Sequence, residues 1–66
     1  MQLRVNGRQD EYPDGLTVQG LIEHLGLLPA RVAVQRNGEV VKRDRRAEVR
    51  LAAGDVLEVV TLMAGG

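Results

Sequence analysis

One stretch of this chain has a helical period, and it lies between two turn signals of the same kind. Val18, Leu21, Ile22 and Leu25 recur at i, i+3, i+4 and i+7, which sets four apolar side chains on one face of a helix. Asn6-Gly7 upstream and Asn37-Gly38 downstream are dipeptides of tight hairpins, because both residues tolerate positive φ. A hairpin, one helix and then further strands make an α+β arrangement, with the helix laid across one sheet face.

The strands follow from the local patterns. Met1, Leu3 and Val5 alternate with Gln2, Arg4 and Asn6, as in a half-buried strand. Residues 8–12 form a polar second strand that ends at Pro13, which cannot donate to a ladder and so points to an edge position. Thr17 can cap the helix, Gly26 sits where a left-handed C-terminal cap wants glycine, and Pro29 blocks continuation. Gly20 inside the helix costs about 1 kcal/mol relative to alanine; close approach to the sheet and plain tolerance both account for it. Residues 32–36 form a strand that returns through residues 39–41. Residues 42–50 are charged and irregular, with Ala47 and Val49 as the apolar side chains, and Gly54-Asp55 launches a final strand over residues 56–62.

The helix supplies a crossover long enough for the first and last strands to pair in parallel at the sheet centre. The expected fold is therefore a β-grasp: a mixed sheet of about four to five strands with one helix packed across it. Residues 1–62 make that domain, and residues 63–66 are expected to be a flexible diglycine tail.

Composition narrows the function. The 66 residues include no Cys, Trp or Phe, one His and one Tyr, which leaves little from which to build a catalytic pocket. Disulfides, thiolate metal sites and a cysteine nucleophile are excluded. His24 falls off the apolar stripe and has no second His to complete a metal site, so it reads as a solvated residue. Tyr12 reads as a ring at the domain edge with a wet hydroxyl. No catalytic residue, metal or bound cofactor is expected. Nine basic and nine acidic residues cancel, so no net field draws the chain to nucleic acid or a membrane surface, and protein partners are favoured. No apolar run reaches signal-peptide or membrane-spanning length, which points to a cytoplasmic protein.

The sequence closes on Met63-Ala64-Gly65-Gly66. Residues without Cβ atoms can be threaded, extended, into a cleft too narrow for side chains. The expected reactive group is the α-carboxylate of Gly66, with Met63, Ala64 and Gly65 threading into the partner; the alternative is an untethered end with no role.

Val5-Asn6-Gly7, the Thr17-Val18 helix entry, Val32-Ala33-Val34, Asn37-Gly38-Glu39-Val40-Val41, Gly54-Asp55, Glu58-Val59-Val60-Thr61 and Gly65-Gly66 together resemble the ThiS family of ubiquitin-like sulfur carriers in thiamin biosynthesis. The similarity spans the whole chain. It implies a β-grasp protein whose C-terminal glycine is adenylated, with ATP consumed by a ThiF-like activating partner, and converted to a thiocarboxylate. A ThiG-like thiazole synthase then receives the sulfur. Alternatives on the same fold are the molybdopterin synthase small subunit (MoaD-like) and a ubiquitin-like protein modifier, told apart by the acceptor; a plain interaction domain would form no thiocarboxylate.

Docking then falls to the surface. If Leu57, Val59 and Thr61 face the core, alternation turns Val56, Glu58, Val60 and Leu62 outward. Val60 and Leu62 become an apolar patch beside the tail, unless residues 42–50 cover that face. Arg43, Arg45 and Arg46 are a second docking candidate, able to pair with an acidic rim on the activating enzyme, or simply a solvated loop.

Overall fold

The computed structural model describes residues 1–62. Five strands form one sheet: β1 (Gln2–Val5), β2 (Arg8–Glu11), β3 (Val32–Arg36), β4 (Glu39–Val40) and β5 (Val56–Thr61). Their order across the sheet is β2-β1-β5-β3-β4, with β1 and β5 parallel at the centre and the other neighbours antiparallel. The helix α1 (Val18–His24) supplies the crossover between the two halves. This is the β-grasp arrangement expected from the sequence.

Local chemistry accounts for each boundary. Asn6 and Asn37 adopt φ of 52° and 51°, and the glycines after them 79° and 85°, so both hairpins turn through the left-handed region that Asn-Gly favours. At the start of α1 the Thr17 hydroxyl accepts from the Gly20 N–H at 3.0 Å. At its end Leu27 N donates to Ile22 O and Gly26 N to Glu23 O, the paired bonds of a Schellman cap. Short 3-10 turns at Pro29–Arg31 and Arg43–Arg45 complete the chain path.

Leu3 and Val5 of β1, Val32 and Val34 of β3, Leu57 and Val59 of β5 and the α1 residues Val18, Leu21 and Ile22 meet in one core, joined by Leu51. Leu25, the fourth residue of the helical stripe, is only half-buried against this core, because the helix has already reached its cap there. Every residue of β2 is exposed, as suits a polar edge strand. Gly20 does not approach the sheet. A Cβ built there would lie 2.9 Å from the Leu16 side chain and 3.4 Å from the Thr17 hydroxyl, so the close neighbours are the residues just ahead of the helix.

A 66-residue domain has about 3–10 kcal/mol of stability at ordinary per-residue values, and Leu21 is fully buried at the helix–sheet interface. Leu21→Ala is expected to lower stability by about 2–5 kcal/mol in chemical denaturation. A loss below about 0.5 kcal/mol would be inconsistent with this packing.

Candidate functional site

The site predicted from sequence hangs on β5, and β5 is held along its whole length. Arg4 N donates to Asp55 O at 3.0 Å and Asn6 N to Leu57 O at 2.9 Å. There β1 turns away into its hairpin, yet the ladder continues: Asn6 Nδ2 donates to Val59 O at 3.0 Å, and Asn6 Oδ1 accepts from Val59 N at 2.7 Å. The side-chain amide takes the place of a strand peptide and satisfies backbone groups of the buried Val59. Asn37 does the same for the start of the strand. Its N–H donates to Val56 O at 2.8 Å, its Oδ1 accepts from Val56 N at 2.9 Å, and its Nδ2 donates to Asp55 Oδ1 at 3.1 Å. The Asp55 carboxylate also accepts from Arg36 Nε at 2.9 Å and from Ala52 N at 2.8 Å. Burial alone would push the Asp55 carboxyl up, but the Ala52 N–H, the Asn37 amide and the Arg36 guanidinium together hold it below the usual carboxylate range. At the outgoing end Leu62 N donates to Arg31 O at 2.6 Å.

Beyond Val59 the strand is open to solvent. Val60 is 55% exposed and Leu62 47%, and Ala33, the β3 partner of Val60, is exposed beside it. Residues 42–50 do not cover this face. They run past the start of α1, where Val18 N donates to Val49 O and Gln19 N to Arg46 O. Thr61, expected in the core, is exposed although it pairs with the buried Val32; no described residue after Val59 is buried, so the strand has outrun the core by that point. Met63, Ala64, Gly65 and Gly66, the expected threading and reacting residues, lie outside the described residues.

The arginine segment divides. Arg43 and Arg45 are exposed, and Arg45 pairs with Glu48 at 2.8 Å. Arg46 departs from the expectation of a solvated or partner-facing side chain: it is 3% exposed, with Nη1 donating to Pro29 O at 2.9 Å and Nη2 to Val32 O at 2.7 Å. Its guanidinium is turned inward to satisfy carbonyls at the entry to β3, so it offers no docking surface. His24 is exposed, its ring 5.4 Å from that of the half-buried Tyr12. Among the described residues no group of three or more His, Cys, Asp or Glu is placed to hold a metal ion, and no helix is long and apolar enough to cross a membrane. The roles of Asn6, Asn37 and Asp55 in holding β5 were not read from the sequence. Their turn positions were visible, but what their side chains reach, up to 53 residues away, was not.

With this geometry in place, the comparisons are specific. The model of the ThiS family matches residues 3–66. The chain is 35% identical to the sulfur carrier protein ThiS of Bacillus subtilis, over 97% of this chain and 98% of that protein. It is also 38% identical, over its full length, to a segment of a thiazole synthase from Paramagnetospirillum magneticum, of which it spans 20%. A thiazole synthase from Magnetococcus marinus gives 39% identity and the same 20% share. The fold matches the crystal structure of a thiamine biosynthesis protein (ThiS) from Geobacter metallireducens with a TM-score of 0.84 and 33% identity, covering both chains completely.

The Asp55 cluster gives a pH dependence with a definite sign. Since its carboxyl titrates lower in the folded than in the unfolded chain, its contribution is present above the unfolded value of about 3.9 and is lost as pH falls toward the folded value. Wild type should therefore be more stable than Asp55→Asn at pH 7, and the gap should narrow below about pH 4. Urea denaturation of both proteins across that range measures it; a gap that stays constant would contradict the arrangement.

Proposed function

The chain belongs to the ThiS family, and from that membership we propose that it is a sulfur carrier of thiamin biosynthesis whose reacting group is the α-carboxylate of Gly66. The observation that carries the reading is that the family match runs to residue 66 and so takes in Gly65-Gly66. The near-complete overlap with the Bacillus subtilis sulfur carrier supports it.

A carboxylate is a poor electrophile. In the proposed sequence a Gly66 carboxylate oxygen attacks the α-phosphorus of ATP in an adenylating, ThiF-like partner, and pyrophosphate leaves. The resulting acyl-adenylate has AMP as a good leaving group. Sulfide attacks its carbonyl carbon, the bond to AMP breaks and AMP departs with the electron pair, and loss of the sulfur-bound proton leaves a thiocarboxylate on Gly66. That sulfur is the nucleophile delivered to thiazole synthase. The chain acts as a protein co-substrate, contributing shape and a handle while its partners supply the catalytic groups. The use of ATP supports a cytoplasmic setting. The matching segments inside two thiazole synthases support a ThiG-like enzyme as the receiving partner.

Docking is assigned to the face that carries Val60 and Leu62, since exposed apolar side chains beside a threaded segment can contribute binding energy when covered. Arg43 and Arg45 act at the rim, where charge mainly sets association rate.

Two outcomes test this reading. Deleting Gly66, or replacing Gly65 with a β-branched valine of restricted conformation, should abolish thiocarboxylation and leave the fold intact. Intact-protein mass spectrometry after incubation with the adenylating partner, ATP and a sulfur source reads the exchange of oxygen for sulfur, and full conversion of the deletion variant would overturn the assignment. Leu62→Asp should weaken binding to the partner enzymes at low and at high salt alike. Calorimetric titration at two ionic strengths checks this, and wild-type affinity for Leu62→Asp would remove that face from the docking surface.

A further inference from the structure

The chain is neutral overall, but its charges are not evenly matched where it leaves the sheet. Among the described residues three cations meet carboxylates: the Met1 ammonium lies 3.0 Å from Glu11 and 3.1 Å from Asp14, Arg36 pairs with Asp55, and Arg45 with Glu48, while the other basic side chains have no such partner. Around the outgoing end of β5 three of these unpaired arginines share one stretch of chain. Leu62 N is bound to Arg31 O, which sets the exposed Arg31 against the last described residue. Arg43 Nη2 donates to Ala30 O at 3.3 Å, and Arg46 donates to Pro29 O and Val32 O, so both guanidinium groups gather on the same Pro29–Val32 stretch. Carbonyl oxygens accept these hydrogen bonds but carry no charge to neutralise the cations. Among the described residues none of the three arginines has a carboxylate partner, and Asp44 is the acid of the adjoining 3-10 turn. Arg46 Nε is buried with no partner among those residues. Burial and the neighbouring Arg43 both push the Arg46 guanidinium's pKa down, a sign that the positive charge here is undercompensated.

We propose that Arg31 and Arg43 form a cationic collar around the root of the tail, and that this collar engages carboxylates at the mouth of the thiazole synthase cleft into which the tail is threaded. The proposal rests on the sulfur-carrier reading and names a second, electrostatic element of its docking surface. Arg46 is the positioning residue: fixed between Pro29 O and Val32 O, it holds the Arg31 segment against β5 and adds a buried positive charge behind the two exposed ones. Reach decides between protein carboxylates and a bound nucleotide or phosphate as the target. Four residues beyond Leu62 span up to about 14 Å when extended, which is farther than an arginine side chain rooted at the sheet extends. In a threaded complex the collar therefore faces the rim of the cleft and not the reacting group at its floor. Carriage of a matching segment within thiazole synthases favours that enzyme as the partner.

The test is the association rate of this chain with the thiazole synthase of the same organism, measured at low and at physiological salt. The Arg31→Glu/Arg43→Glu pair should slow association on the order of tenfold at low salt, with the difference shrinking as salt rises. An Arg31→Gln/Arg43→Gln pair should give an intermediate rate. Arg50→Glu, an exposed arginine bridged through its backbone to Thr17 ahead of α1, should change the rate much less. Thermal unfolding of each variant confirms that the fold is kept. If both double variants associate at the wild-type rate in low salt, the collar is wrong and the carrier reading stands. If the wild-type chain does not bind the synthase, both fall.

Discussion

Two asparagine side chains hold the last strand, and most of the architecture is arranged around that fact. β5 must run past the end of β1 to carry the chain out of the sheet, and a strand that outlasts its neighbour leaves backbone groups without partners. Asn6 removes the deficit at Val59 with two hydrogen bonds from its amide, and Asn37 does so at Val56 while also donating to Asp55. The same residues make the left-handed turns of both hairpins. One residue type at each turn thus reverses one pair of strands and clamps a third.

This arrangement gives the outgoing chain a fixed root. β5 is pinned by β1 and β3 on either side, its start is locked through Asp55 and Arg36, and its end is tied to Arg31. Among the described residues the apolar core stops at Val59, so Val60 and Leu62 are left exposed where a partner could cover them. In the proposed carrier role the chain leaves the sheet from a rigid platform, with the exposed Val60 and Leu62 at its end and Arg31 tied to Leu62 through the backbone. In that proposed role the partner supplies the catalytic groups, and the chain need only offer a group that fits.

Legibility in the sequence followed the range of the interactions. The helix, its Thr17 cap, both hairpins and the parallel pairing of the first and last strands were readable, because each rests on short-range patterning or on the length of one crossover. Thr61 was misplaced because alternation says which way a side chain points and not where the core ends. For Gly20 close approach to the sheet and plain tolerance were both open, and its close neighbour is instead Leu16, a contact set by how the chain enters the helix. Arg46 was grouped with Arg43 and Arg45 on composition alone. Its burial depends on the carbonyls of Pro29 and Val32, which only the folded chain brings to it. The Gly65-Gly66 signal was plain in the sequence, whereas the arginines at the root of the tail became a group only through the fold.

The central claim is that this chain carries sulfur to thiazole. The most direct measurement follows isotopically labelled sulfur: the chain is loaded with labelled sulfide, separated from free sulfide, and combined with thiazole synthase and its substrates. Label should pass into the thiazole as it leaves the carrier, mole for mole. Unlabelled thiazole formed at the same rate, with the label retained on the chain, would contradict the account.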